Sequence, residues 1–327
     1  DLKGLRAGAS RLCRQISVES GRSNWGHLVQ SRTGSDAAGA GKRRKRDTKA
    51  AYVDEARRLA KRLGRDFNNA RMLLNHMTQS CLRYLMSGDG RHLEAFKHYF
   101  RAHKGLGVPG IGTHMEMWRT IGYWDLVEES PAFSDAERLE VINHFLWLLY
   151  SSEGEQYGFF RHGLTHPSVR HNHQTLPALC LLFGGRYFGR LYDWPDAPRW
   201  LEEAHTLFSS QFTSFKPMED SAGYHWYTID TVITYALVRG DMTFVENGTL
   251  RRTCDLALMC TANRGAIPNY GDGGGGDVVP VPALSAAAYL YKDGRYQKAI
   301  GDRARPTGRG FVTEGIQDRG LDEYDGV

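Results

Sequence analysis

From residue 50 onward the apolar side chains return every three or four positions, and a chain patterned this way buries one face of a helix at a time. Tyr52, Ala56, Leu59, Ala60 and Leu63 make one such stripe, Phe67, Ala70, Leu73, Leu74 and Met77 a second, and Leu93, Phe96, Tyr99 and Phe100 a third. The same spacing predicts helices over 115–127, 134–150, 175–183, 200–212, 227–238, 249–262 and 283–291. Ser134 followed by Glu137 has the form of a capping box at the start of its helix. The connecting segments SGDGRH, GVPGIG, YDWPDAP and NYGDGGGGD carry the Gly, Pro, Asp and Asn residues that end helices. Strand-like alternation is almost absent.

Nine or ten helices with short and medium loops, without heptads and without a fixed repeat, predict an all-α fold of antiparallel helix pairs. The pairs would close into an incomplete (α/α) toroid or a compact bundle. A solenoid would show a recurring period, and none is present. A toroid gathers its loops around one end of a central cavity, so its chemistry is expected on those loops.

Residues 1–49 differ from the 50–327 region. They offer one helix at 5–16, one short strand at 25–30 and a polar Gly/Ala/Ser segment running into Lys42, Arg43, Arg44, Lys45 and Arg46. This reads as a linker or the remnant of a small α/β module. GSDAAGAGKRR is not a phosphate loop, because Arg43 stands where a magnesium-binding Ser or Thr would follow Lys42. The net charge is +5, which is the charge of that one tract. It reads as a solvated loop, and no nucleic-acid partner is expected.

With 41% hydrophobic and 24% charged residues, the chain has enough apolar material for a real core, which excludes disorder, collagen and a small disulfide scaffold. Its longest strongly apolar run, 141–150, contains Asn143 and His144. That is far short of the roughly 20 residues of a membrane span, and no membrane partner is expected. The five cysteines form no CxxC pair and read as small buried hydrophobes. Cys254 and Cys260, six positions apart on one helix, do not face each other for a disulfide. The chain begins DLKGLRAGAS, so either a targeting peptide has been removed or the sequence is a fragment.

Seven of the 13 histidines, His144, His162, His166, His171, His173, His205 and His225, fall between 144 and 225. Two loop-to-helix junctions hold the polar residues of interest. The first ends in Arg170, His171, Asn172, His173, Gln174 and Thr175; the second is KPMEDSAGYHWYT, with Glu219, Tyr224, His225, Trp226 and Tyr227. His162, His166, His171 and His173 could supply imidazoles to a metal, but their spacing fits no metal template and Pro167 breaks the helix that HxxxH would need. No metal or other cofactor is expected. Trp226, Tyr227, Tyr157, Phe159 and Phe160 beside amide, imidazole and phenol groups match the lining of a carbohydrate cleft, where rings cover the apolar faces of sugars.

Asn172-His173-Gln174-Thr175, with Ser221-Ala222-Gly223-Tyr224-His225 placing its tyrosine 52 residues after Asn172, resembles the helical-toroid polysaccharide lyases of the heparinase II/III and alginate lyase type. In those enzymes an Asn, often in an Asn-His pair, opens one helix, and a Tyr in an S-x-x-Y-H-like segment opens the next helix but one. PNYGDGGGGD at 268–277 is similar to their I-P-x-x-G-D stretch. The likeness covers roughly residues 50–300.

The resemblance implies β-elimination on an acidic, uronate-containing polysaccharide. Asn172 would bind and offset the uronate carboxylate, assisted by His173 or Gln174, because the intermediate carries a second negative charge. Tyr224 would be the general base or acid. A phenol ordinarily titrates near 10, so it needs nearby cations to act as a base, and Arg170 or a protonated His225 would supply them. His225 and Tyr227 are reserve candidates for the same role, and His171, Trp226 and Glu219 would contact substrate. Family members follow the toroid with a β-sandwich that contributes a further His. With Val327 as the last residue, the chain is a fragment, or His225, His171 or His173 fills that role, or the protein is not a working lyase. The resemblance alone implies a periplasmic or secreted home. Two other readings stay open: a hydrolase on a related toroid, with Glu219, Asp220 and Asp272 as its acids, and a non-catalytic glycan-binding scaffold.

Overall fold

The computed structural model describes residues 49–106, 111–153, 172–214, 221–262, 265–271 and 278–300. The predicted N-terminal helix and strand, the basic tract at 42–46 and the segment from 301 to Val327 lie outside them.

Twelve α-helices account for most of the described residues. They are α1 (Lys49–Leu63), α2 (Ala70–Ser87), α3 (Arg91–Lys104), α4 (Ile111–Val127), α5 (Asp135–Glu153), α6 (Asn172–Tyr192), α7 (Ala197–Gln211), α8 (Ala222–Arg239), α9 (Thr243–Glu246), α10 (Thr249–Cys260), α11 (Val281–Tyr291) and α12 (Gly294–Ile300). Among the described residues β-pairing is limited to the isolated bridges Ala262–Ala266 and Ile267–Val278. The described residues are all-helical apart from these bridges, in keeping with their periodicity, and no described helix is long and apolar enough to cross a membrane.

Local sequence accounts for most helix ends. The capping box at α5 forms: the Glu137 amide donates to Ser134 Oγ at 3.3 Å and the Ser134 amide to Glu137 Oε2 at 3.0 Å. Gly88 ends α2 at φ 67°, a left-handed position that a side chain would strain, and its N–H donates to the Tyr84 carbonyl at 2.7 Å. The expectation for α6 is corrected: the helix starts at Asn172, three residues before the predicted 175, and runs to Tyr192. Pro177 therefore sits inside the helix rather than at its first turn, and it has no N–H to give the His173 carbonyl. The Thr175 hydroxyl instead donates back to the Asn172 carbonyl at 3.2 Å. The short helices α9 and α12 were not legible, because four and seven residues are too few to display a period.

The described residues divide into two compact units. The first comprises those up to 153 together with 183–200; the second comprises 172–182 and those from 201 onward. In the first, α2 packs against α3 and α4, and α1 against α3. Its core is aromatic: Phe96 stacks on Trp124 with centroids 5.4 Å apart, and Phe133 meets the same indole edge-on at 5.0 Å. In the second, α8 packs on α11, and α10 on α9, α11 and α12. There Phe208 stacks on Tyr235 at 4.5 Å, and Tyr235 Oη meets His205 Nδ1 at 2.7 Å.

Cys81, Cys180 and Cys254 are buried and take part in no disulfide. Cys260 is a correction: it is exposed, and no disulfide joins it to Cys254, since six residues turn the helix surface about 240°.

Candidate functional site

Two helix openings in the second unit carry most of the residues singled out above. Asn172 is the first residue of α6. It, Gln174 and Thr175 are buried, while His173 is half-buried and faces partly outward. Burial holds the His173 imidazole below its ordinary titration range, so it is neutral near pH 7 and acts as a hydrogen-bonding group rather than a cation.

At the second opening Ser221 is a well-formed N-cap. Its backbone is extended (φ −137°, ψ 147°), and its hydroxyl accepts the Tyr224 amide at 3.2 Å. This cap sets where Tyr224 stands, one turn into α8, and Tyr224 is half-buried. His225 and Trp226 point inward, their rings edge-to-face with centroids 4.6 Å apart. Trp226, expected as a sugar-facing ring, is 5% exposed. Tyr227 is half-buried. The inward turn of His225 and Trp226 follows from the helix itself, which places consecutive residues 100° apart, so Tyr224 cannot share a face with both.

The third motif reaches the second. The Ala222 amide, in the first turn of α8, donates to the Tyr270 carbonyl at 3.3 Å. The segment 268–271 therefore lies against the helix that carries Tyr224. Its base is pinned by two reciprocal 2.8 Å hydrogen bonds between Ile267 and Val278, just ahead of α11. Tyr270 itself is exposed. Arg170, His171 and Glu219 lie outside the described residues, as do His162, His166, Tyr157, Phe159, Phe160, Asp220 and Asp272. Among the described residues no group of three His, Cys, Asp or Glu side chains could hold a metal ion.

Two polar clusters of the first unit escaped sequence reading. His103 Nδ1 and His144 Nε2 meet at 2.9 Å, both rings buried. The one signal for them was that His103 extends the Phe96–Phe100 stripe by one more turn. Glu128 accepts the hydroxyls of Tyr187 at 2.6 Å and Tyr192 at 2.5 Å, and Trp124 Nε1 donates to Tyr187 Oη at 2.9 Å. These partners lie about 60 residues from Glu128 or Trp124, beyond any local pattern. Compared with known protein families and with curated proteins, the chain matches no family model and no curated sequence.

Proposed function

We propose that this protein is a polysaccharide lyase of the helical-toroid type, cleaving a uronate-containing glycan by β-elimination. The observation that carries the reading is the Ala222–Tyr270 hydrogen bond, which joins two of the three short motifs of the resemblance across 48 residues of sequence. The third motif opens α6 in the same unit. The packing of α1 on α3 and of α2 on α4 supports a toroid, because a ring of alternating inner and outer helices brings each helix against the next but one.

In this reading Asn172, with His173 or Gln174, receives the uronate carboxylate and offsets the charge that builds on it. Tyr224 takes the proton from C5. The electron pair released forms the C4–C5 double bond as the C4–O glycosidic bond breaks, and the leaving oxygen takes up a proton, which Tyr224 can return. His225 is buried against Trp226. Arg170 or His225 would supply the positive charge that a phenolate base needs. A secreted or periplasmic setting belongs to this proposal, since that is where extended acidic glycans are met.

The test is absorbance of the unsaturated uronate during incubation with alginate, heparan, chondroitin, hyaluronan and ulvan-like polymers. A rise with one polymer that disappears in Tyr224→Phe supports the assignment. New reducing ends without absorbance, or turnover unchanged in Tyr224→Phe, overturns it.

A further inference from the structure

Helix α4 holds three buried polar atoms without a hydrogen-bond partner: Thr113 Oγ1, Trp118 Nε1 and Arg119 Nε. Two of these, the indole N–H and the guanidinium Nε–H, are donors only, so each calls for an acceptor. They belong to one stacked pair, with the Arg119 guanidinium carbon 4.5 Å from the centre of the Trp118 ring. Trp118 is 3% exposed and is held from another side by Phe183, 5.3 Å between centroids.

The neighbouring carboxylate is already committed. Glu116 Oε2 takes Arg119 Nη1 at 2.9 Å, and Glu116 Oε1 takes Arg71 Nε at 3.3 Å from α2. Arg–carboxylate pairs are frequently bidentate, through two N–H groups of one guanidinium together. Here the carboxylate meets Nη1, so it orients the guanidinium and leaves Nε–H directed elsewhere. Two cations sharing one buried carboxylate leave a single net positive charge. Arg71, its side chain 48% exposed, brings that charge to the surface, and Arg119 is 16% exposed beside it.

We propose that Trp118, Arg119 and Arg71 form an oxyanion-binding site in the first unit. It would take a ligand group with at least two acceptor oxygens, one for the indole N–H and one for Arg119 Nε–H, with Arg71 supplying attraction at the rim. A sugar carboxylate and a free inorganic oxyanion share this chemistry. The site uses none of the residues assigned to elimination and stands or falls apart from that reading.

The test follows the indole N–H resonances of the full chain, which has seven tryptophans, by nuclear magnetic resonance. The chain is titrated with sodium glucuronate, sodium sulfate or glucose at constant ionic strength. The expected result is a saturable shift of the Trp118 indole signal with glucuronate or sulfate and none with glucose. Arg119→Lys, which keeps the charge but loses Nε–H, weakens the response at least tenfold, and so does Arg71→Ala, a half-exposed change that leaves the fold intact. A response to glucuronate alone identifies an acidic sugar as the ligand source, and a response to sulfate identifies a free oxyanion. No saturable shift with either anion, an equal shift with glucose, or a shift undiminished in Arg71→Ala overturns the proposal, whatever the outcome for lyase turnover.

Discussion

His103 and His144, 41 residues apart, share one hydrogen bond between Nδ1 and Nε2 at 2.9 Å in the buried seam of α3 and α5. One ring donates and the other accepts, so the accepting ring is neutral. Phe100 meets the edge of His144 at 5.5 Å, and Trp147 stacks on it at 5.6 Å. Lys104, ion-paired with Glu140, is a charged group that acts on His144.

Burial, joined at His144 by the charges of His103 and Lys104, pushes both imidazoles below their usual range, His103 to about 4. The unfolded chain therefore takes up protons near pH 6.5 that the folded chain refuses. The stability contributed by the neutral pair is complete above that pH and is lost as pH falls toward 4. The slope is about 1.4 kcal/mol per pH unit for each refused proton. Urea unfolding at pH 7, 6, 5 and 4 is expected to show this loss, and the double variant His103→Leu/His144→Phe to flatten it. An equal slope in the double variant counts against the assignment.

Tyr187 is the hinge of the Glu128 cluster, donating to the carboxylate while accepting from Trp124. Burial first, and then the Glu128 charge, raises its phenol well above 10, so it remains a donor at all ordinary pH values. Tyr187→Phe removes a hydrogen bond to a buried carboxylate and strands the Trp124 N–H, a loss of about 2–3 kcal/mol. Tyr192→Phe, at a half-buried ring, is expected to cost less. Chemical denaturation of both variants checks the order, and a Tyr187→Phe loss below about 0.5 kcal/mol would mean that the cluster contributes little.

Ser221 and Tyr224 separate stability from chemistry at the opening of α8. Ser221→Ala removes the side-chain acceptor for the Tyr224 amide and is expected to cost about 1 kcal/mol. Tyr224→Phe keeps that amide and nearly all the ring volume, so its melting temperature should stay close to wild type, while under the proposed mechanism β-elimination is lost. A large drop in the melting temperature of Tyr224→Phe would show the hydroxyl to be structural.

Gly184 lies where α6 touches α5. A Cβ there would come within 2.6 Å of Leu149 Cδ1, and Leu149 is fully buried. Gly184→Ala is expected to destabilise by about 1–3 kcal/mol through overpacking. Adding Leu149→Val, which removes the colliding methyl group, should recover part of that loss in a double-mutant cycle. Strictly additive effects would argue against the contact.

Helix after helix was readable from this chain because amphipathic periodicity is a local property. Each stripe of apolar residues, such as Leu93, Phe96 and Phe100, names its buried face whatever that face packs against. Caps were readable for the same reason: Ser134 with Glu137, and Gly88, act within a turn of themselves. Tertiary structure decided which polar groups meet. His103 finds His144, Glu116 finds Arg71 45 residues away, and Ala222 finds Tyr270, because helix packing sets these distances and no interval along the chain encodes them. It also turned Trp226 inward and Cys260 outward, since an aromatic ring or a thiol at a helical position is equally compatible with core or surface until its neighbours are in place. The residues proposed for chemistry were visible as a pattern of types, Asn-His-Gln and Ser-x-x-Tyr-His. Whether a polar side chain at a helix opening is buried, half-buried or capped is decided by the three-dimensional packing around it.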